Sequence, residues 1–372
     1  MPVVRLLEGK STVAKSGRPQ SPRTGTEVAN HPDGFPSFFG KRQPRIITAD
    51  PWAFLNHVVA KQLPSAKEAV ALAYIAQAKD FFEAAEQPRL GSKPLLYYYS
   101  FLNLAKAALI TKGVPLPAKV QHGISDPKAN VRSRLRMSGQ KVNVNGCAHD
   151  RSELYPEFVK ILGGTTAKSY RVVDLLAQVP VIHRTFNQVS GEPPSLLPMK
   201  SIAVMRSKGL VWCRIALDTA DRDVAQVLPV VRGRAAFRRV FHQVSSATAG
   251  QLWFETEPEV GHAVSIDPAI GRLADTVRQA GASFILTRHG YRHYLSALPP
   301  RIQLPDLAAI LAVAFYFGSV VRYKPDVFAK IVDGGYAWVV HEFFAAAPNQ
   351  FLYGLSSFLA GVDVIRPFGT AE

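Results

Sequence analysis

Apolar residues recur at helical spacing in two consecutive segments of the N-terminal half of the chain. The first segment begins at Ser65, which can form an S-x-x-E capping box with Glu68. The second has Pro94 in its first turn and ends at Thr111, just before Gly113. Because only about seven residues join the two segments, the pattern predicts an antiparallel helical hairpin.

A third strongly apolar segment lies towards the carboxyl end. It runs from Leu307 to Tyr323, with Asp306 as the predicted N-cap, and Lys324-Pro325 ends it. Since this helix is apolar on all sides, we expect it at the centre of a C-terminal helical bundle. Its unbroken apolar stretch would rise about 22 Å, short of the roughly 30 Å of a bilayer core, which favours a buried helix. Further helices of the bundle are predicted at 327–331, 337–346 and 350–359.

The middle of the chain changes to short β-branched and aromatic runs separated by polar or glycine-bearing turns. This pattern predicts a small antiparallel sheet. The expected fold class is therefore α+β, mainly α-helical, with an N-terminal helical hairpin and a C-terminal bundle around a small antiparallel β insertion. The predicted strands are 201–205, 210–217, 224–231, 237–244 and 252–255. The predicted regions are a flexible basic arm (1–48), an N-terminal helical region (49–194), a β region (195–265) and a C-terminal bundle (266–372).

Composition and charge narrow the class of protein. Of the 372 residues, 47% are hydrophobic and 19% are charged, which is typical of a folded globular chain. The net charge of +16 attracts polyanions such as nucleic acid, although a basic protein without such a partner has the same composition. The two cysteines, Cys147 and Cys213, exclude a disulfide framework and fit a reducing compartment. With no predicted signal peptide or membrane span, we expect a cytoplasmic protein.

The first 48 residues are rich in proline, glycine, serine and basic side chains, and they show no helical or strand period. This composition predicts a flexible or loosely docked basic arm, with Phe35 and Phe38-Phe39 as its apolar anchors. Such an arm can contact nucleic acid, but more often it is simply solvated.

Three segments of the chain resemble segments of a known family in sequence, order and spacing. They are Lys93–Ala107 (KPLLYYYSFLNLAKA), His122–Ile124 (HGI) and Phe317–Pro325 (FGSVVRYKP). Together they resemble the YaaC-like proteins of bacteria, over residues 51–368, and the tyrosine run followed by SFLNLAK is the most specific part. The chain departs from the family pattern at Asp326-Val327-Phe328, where a tryptophan is expected one step after the acid.

The resemblance implies little about chemistry, because the activity of the family is not settled. Related proteins occur near bacterial defence genes, which implies a place in a defence system by association. The helical hairpin with its tyrosines also resembles the core of HEPN-type proteins. Several of those are metal-independent ribonucleases that carry an Arg-x4–6-His motif.

Polar residues on and near the second helix form the first candidate ligand site. Asn103 and Lys106 lie on one strip of an otherwise apolar helix, one turn after Tyr99. A buried lysine needs a carboxylate, a carbonyl or a ligand phosphate, unless it extends to solvent. From the resemblance and the side-chain types, His122 and Arg322 are expected to face the same pocket. An arginine at a helix C-terminus is also explained by the helix dipole alone.

One Arg-x4–6-His motif occurs, at Arg288 and His293. A histidine of near-neutral pKa can exchange a proton with a ribose hydroxyl, and an arginine can hold the scissile phosphate. However, about two such matches are expected by chance in a chain of this composition. The alternatives are a phosphate-binding patch and a solvated basic turn.

A dense arginine cluster in the predicted sheet is the second candidate ligand site. Arg234, Arg238 and Arg239 lie beside Phe237 and Phe241 on a predicted hairpin. Arginine with aromatic side chains is the combination that binds phosphates and stacks bases. A cationic sheet face balanced by nearby glutamates explains the same residues.

The sequence predicts no metal site and no cofactor. Cys147, His149 and Asp150 lack the second Cys/His pair that a zinc site needs, and no phosphate-binding glycine loop has the required spacing. The leading hypothesis is therefore a cytoplasmic protein that binds a nucleotide or nucleic acid through basic patches. The alternatives are a metal-independent ribonuclease using Arg288 and His293, and a protein–protein interaction module or homo-oligomer without catalysis.

Overall fold

Helices dominate the structure, a computed structural model, and small, mostly antiparallel sheets accompany them. The chain is thus a mixed α and β fold, as the sequence pattern predicts. Two main hydrophobic cores are present in the described residues, one mainly helical and the other built on a sheet. The described residues are 19–30, 46–86, 90–116, 121–125, 137–144, 153–261, 267–287 and 290–367.

The helical core is built around two long apolar helices, α3 (Lys93–Thr111) and α10 (Asp306–Tyr323). Most of α10 is buried; its length and hydropathy would suit a membrane span, but 78% of the segment lies inside the protein. Gly318 lets α10 approach α3 closely, because a Cβ at this position would lie 3.1 Å from the Tyr98 Cβ. The other helices of this core are α1 (Pro51–Gln62), α2 (Ser65–Glu86), α4 (Leu154–Ile161), α5 (Val172–Ala177), α6 (His183–Ser190), α11 (Pro325–Val332) and α12 (Ala337–Ala360).

Two short sheets accompany the helical core. One is antiparallel, with the strand order β3 (Ile124–Ser125), β4 (Lys141–Val144) and β5 (Ser169–Arg171). The other is a parallel pair of β2 (Ile46–Ile47) and β14 (Val364–Ile365), which joins the segment before α1 to the segment after α12.

The second core lies between a six-stranded sheet and three helices. Along β8 (Leu210–Asp218), Val211, Cys213 and Ile215 face this core, and Trp212 and Arg214 lie on the outer face, as the period of two in a strand requires. The sheet order is β1 (Thr26–Asn30), β7 (Ser201–Ser207), β8, β10 (Gln251–Thr256), β9 (Phe241–Val244), and β11 (Glu259–Val260) also pairs with β8. The helices are α7 (Arg222–Gly233), α8 (Ala235–Val240) and α9 (Asp267–Gln279), and a smaller sheet has the order β12 (Ala282–Thr287), β13 (Gly290–Ser296), β6 (Leu196–Pro198).

Two predicted strands of this region are wrong. Residues 224–231 form most of α7, and residues 237–244 are divided between α8 and β9. The predicted arginine hairpin is therefore a helix pair followed by a strand. Valines favour strands, but in α7 the buried positions are three or four residues apart, and burial on that helical face decides the structure. The buried residues of α7 are Val224, Val227, Leu228 and Val231.

Other element boundaries also differ from the predictions. Asp306 is the first residue of α10 rather than its N-cap. The predicted helices 337–346 and 350–359 form the single helix α12, with Pro348 inside it. The sheet core includes residues as far along the chain as Leu295. A hydrophobic core is defined by contacts between distant segments, so its extent does not follow from local periodicity.

Part of the predicted arm is ordered against the sheet. Residues 26–30 form strand β1, which pairs with β7, and Gln20 forms a bridge with Val244 on β9. The predicted anchors Phe35 and Phe38-Phe39 lie outside the described residues.

Candidate anion-binding site

His122 is held at the surface of the helical core by main-chain and side-chain contacts. The next residue, Gly123, has φ +72°, and a Cβ there would lie 2.6 Å from Pro156 Cδ, so the turn requires glycine. The His122 carbonyl accepts a hydrogen bond from the Tyr155 amide at 3.1 Å. Its side-chain Nδ1 lies 2.6 Å from the Tyr98 hydroxyl. The imidazole is therefore oriented, while part of the residue stays exposed to solvent.

In the hydrogen bond between these side chains, Tyr98 donates and His122 accepts. Burial raises the pKa of Tyr98, and two neighbouring tyrosines raise it further, so the phenol keeps its proton. Burial lowers the pKa of His122, and the positive charges of Lys106 and Arg322 lower it further, so the imidazole is neutral at pH 7. Since Nδ1 accepts, the ring proton is on Nε2, and His122 offers a neutral N–H donor.

Lys106 is oriented by neutral groups. Its Nζ donates to Asn103 Oδ1 at 3.1 Å, and Asn103 Nδ2 donates in turn to Gln77 Oε1 on α2 at 2.8 Å. The ammonium also lies 4.9 Å from the centre of the Tyr74 ring. Burial lowers the pKa of Lys106. These contacts orient the lysine without neutralising its charge.

Arg322 lies in the last turn of α10 and reaches back to α3. Its Nη1 donates to the Tyr99 hydroxyl at 2.8 Å, and its guanidinium carbon lies 5.0 Å from the centre of the Tyr323 ring. The Tyr99 ring stacks on Phe81 of α2 at 5.4 Å. Tyr323 is 66% exposed. The helix C-terminus, two tyrosines and the guanidinium thus form one polar and aromatic surface.

Lys106, His122 and Arg322 form what we call the basic cluster. Both cations lie close enough to lower the pKa of His122. Within the described parts of the chain, no carboxylate forms an ion pair with any of the three. The structure therefore brings together the predicted residues of the first candidate site, including Tyr99 and Asn103. Its uncompensated positive charge and directed N–H donors suit an anion.

The arginines of the second candidate site lie on other elements. Arg234 joins α7 to α8, and it donates to the Ser296 carbonyl and, at 3.0 Å, to Gln303 Oε1, which ties the sheet core to the segment before α10. Arg238 and Arg239 are exposed on α8. Arg234 thus makes structural contacts, and its two neighbours are surface cations.

Only the histidine of the predicted Arg-x4–6-His pair lies in the part of the chain that the structure describes. Arg288 lies outside the described residues. His293 lies on β13, where it is 5% exposed and is paired in register with Phe284 of β12. In the structure, therefore, the histidine of this motif belongs to a β-hairpin and is buried.

The family model described as YaaC-like protein matches residues 37–359 of the chain. This protein belongs to the YaaC-like family. No curated protein and no solved structure matches the chain. The likeness to HEPN-type proteins therefore has no support in these comparisons, and the matched region of this YaaC-like protein contains the whole basic cluster.

The basic cluster of this YaaC-like protein lies apart from two grooves on its surface. One groove, of about 330 Å³, lies beside Pro229 of α7, and the other, of about 720 Å³, lies between Gly191 and Arg222. Neither is lined by a predicted site residue. The cluster therefore suits an anion bound at the surface.

Two tyrosines of the site were not among the predicted site residues. Tyr98 fixes the tautomer of His122, and Tyr323 presents the exposed ring beside Arg322. Both lie within the segments that carry the family resemblance. The tyrosine run gave no sign of which ring would face His122, since that depends on the path of the chain after α3.

Proposed function

We propose that this protein binds a nucleotide or nucleic acid, with a phosphate of the ligand at the basic cluster. The observation that carries the proposal is the group of contacts that places Arg322 on Tyr99, next to the Tyr98 ring that holds His122, with Lys106 near enough to lower the pKa of that histidine. Among the described residues, none of these three basic side chains has an ion-paired carboxylate. A phosphate would supply acceptor oxygens for the ammonium, the guanidinium and the His122 Nε2–H together. No covalent chemistry is needed, because a neutral histidine with its proton on Nε2 serves as a donor rather than as a base.

The surroundings of the basic cluster support a ligand with a base as well as a phosphate. Tyr323 is 66% exposed and has the Arg322 guanidinium against its ring. An exposed aromatic ring next to a phosphate-binding cation is an arrangement that stacks bases of single strands. The surface position also suits the backbone of a polymer. Since the resemblance implies an association with bacterial defence genes, RNA and DNA in the cytoplasm are the first ligands to test.

The test compares variants of the basic cluster in binding to a fluorescently labelled single-stranded RNA and to a labelled nucleotide. We expect Lys106→Gln and Arg322→Gln each to weaken binding by about 10-fold or more, since a charge-assisted hydrogen bond contributes roughly 1.5–3 kcal/mol. Lys200→Gln is the matched control, because Lys200 is an exposed lysine on the sheet that pairs with Asp218. Wild-type affinity should also fall steeply between low and moderate salt. Equal weakening in all three variants, or a flat salt response, would count against the proposal.

The rival functions give different results in the same experiments. Metal-independent cleavage of RNA that disappears in His293→Ala would favour the ribonuclease. A protein that binds neither RNA nor nucleotide at any salt concentration, but self-associates or captures a protein partner, would favour the interaction module.

A further inference from the structure

The N-terminal segment 19–30, which we call the strap, crosses the outer face of the six-stranded sheet. At its start, Gln20 bridges to Val244 on β9, and the Gln20 carbonyl accepts a hydrogen bond from the Ser245 amide at 2.8 Å. At its end, Thr26–Asn30 pairs antiparallel with β7. Since β8 and β10 lie between β7 and β9 in the sheet, the strap passes over both of them.

Arg23 attaches the centre of the strap to two glutamates. Its Nη2 donates to Glu257 at 3.0 Å, its Nη1 donates to the Thr256 carbonyl at 2.8 Å, and its main-chain amide donates to Glu255 Oε2 at 3.3 Å. Glu255 is fully buried, and Arg214 donates both to this carboxylate and, at 2.9 Å, to the Arg23 carbonyl. Arg23 of the strap therefore joins the ion pair that Arg214 and Glu255 form on the sheet.

Gly25 lies against the ring of Trp212. A Cβ at position 25 would lie 2.5 Å from Trp212 Cη2 and 2.7 Å from the Arg206 carbonyl oxygen, so only glycine lets the strap pass at this height. Trp212 is 1% exposed, and its indole N–H has no hydrogen-bond partner within the described structure. A buried N–H donor without a hydrogen-bond partner costs free energy. Such a donor is unusual under a segment that never leaves the surface it covers.

The first nine residues of the strap, 19–27, stay at least partly exposed. None of the side chains from Pro19 to Glu27 is buried, although Trp212 and Glu255 beneath them are. Hydrogen bonds and ion pairs, rather than apolar burial, therefore hold residues 19–27 in place. Segments with few buried apolar contacts open locally at low free-energy cost.

We propose that the outer sheet face is a binding site for an extended peptide with an arginine two residues before a glycine, and that the strap is its releasable internal occupant. Main-chain pairing along β7 adds the peptide as an edge strand. Glu255 and Glu257 form ion pairs with the arginine of the peptide, and its glycine packs against the Trp212 ring. The face revealed by release also holds Trp253, over which the Arg214 guanidinium lies at 4.7 Å.

The experiment uses the full chain with the substitution Gly25→Val, which forces the strap away from Trp212. A fluorescently labelled peptide of residues 19–30 is titrated into wild type and variant, and binding is followed by anisotropy. We expect the peptide to bind Gly25→Val at least about 10-fold more tightly than wild type, whose site is already occupied. A peptide with Arg23→Ala should bind at least about 10-fold more weakly. A peptide with Thr24→Ala is the matched control, because Thr24 is exposed.

Two results would overturn the proposal. One is equal binding of the original and Arg23→Ala peptides. The other is no binding to a Gly25→Val chain whose circular dichroism and thermal unfolding match wild type. If Gly25→Val does not fold, Arg23→Ala in the full chain replaces it, because it removes the ion pair without a clash. That variant should show faster hydrogen exchange along β7 and should bind the peptide, and the absence of both effects would reject the strap as a releasable occupant.

Discussion

Burial and the charges of Lys106 and Arg322 lower the pKa of His122, and the hydrogen bond from Tyr98 orients its ring. We predict that Tyr98→Phe raises the pKa of His122 towards its usual value, because the bond stabilises the neutral imidazole. In wild type the folded-state pKa lies below the unfolded one, so stability falls as the pH drops below about 6.5. This pH dependence should be smaller in the variant. An NMR titration of the histidine ring protons measures the pKa, and denaturant unfolding at several pH values measures the stability.

The stability of Tyr98→Phe at pH 7 should fall by about 0.5–1.5 kcal/mol, as expected for one lost hydrogen bond. Tyr353→Phe is the matched control, because it also removes one hydroxyl, which donates to the Thr48 carbonyl at 3.0 Å. It should lower stability by a similar amount and leave the His122 titration unchanged. A His122 pKa that moves equally in both variants would show that the tyrosine hydroxyl does not act on the ring directly.

At the residue scale, the sequence indicated which side chains could form a site, but not which groups those side chains contact. Lys106 and Asn103 stand out as polar groups on an apolar helix, and this pattern locates them without a structure. The bond from Asn103 to Gln77 depends on how α2 packs on α3, and the bond from Tyr98 to His122 depends on the chain path to β3. Those contacts come from tertiary packing, which the local sequence does not determine.

The crossing of α3 and α10 positions the arginine of the basic cluster. A Cβ on Gly318 would lie 3.1 Å from Tyr98 Cβ and 3.3 Å from the Pro94 carbonyl oxygen. We predict that Gly318→Val lowers the free energy of unfolding by about 1–3 kcal/mol through overpacking. It should also weaken phosphate-ligand binding, since Arg322, one turn later, moves relative to α3. Gly233→Val in α7 is the control, because no atom lies within 4 Å of a Cβ there. Thermal and denaturant unfolding with ligand titrations check both effects, and a Gly318→Val chain as stable as wild type would contradict the close packing.

At the element scale, the helices with clear boundary signals were predictable and the valine-rich one was not. Pro94 marks the start of α3, and Lys324-Pro325 marks the end of α10. The observed helix ends lie within a residue or two of these signals. The sequence of α7 predicted a strand, because valine favours an extended backbone. Their burial against the sheet at helical spacing becomes visible only when the sheet itself is known.

At the scale of the whole molecule, one insertion divides the chain into two cores. The helical core combines residues from both ends of the sequence, and the sheet core lies between them, from Leu197 to Leu295. The sequence predicted a β insertion, because the hydrophobic period changes near residue 195 and the apolar helix α10 follows it. The inclusion of α9 in the sheet core could not be predicted, because an amphipathic helix does not show which surface it covers.

Because the apolar contacts of the two cores are separate, we predict that damage to one spreads little to the other. Leu273→Ala in α9 removes a side chain that is 1% exposed in the sheet core and should lower stability there by about 2–5 kcal/mol. Hydrogen exchange followed by mass spectrometry should then accelerate in β7, β8 and β10 and stay unchanged in α3 and α10. Leu311→Ala, at an equally buried position of α10, should give the reverse pattern and also weaken ligand binding at the basic cluster. If either substitution accelerates exchange equally in both cores, the molecule unfolds as one cooperative unit, and the contacts of Arg234 with Ser296 and Gln303 are then the first candidates for the coupling.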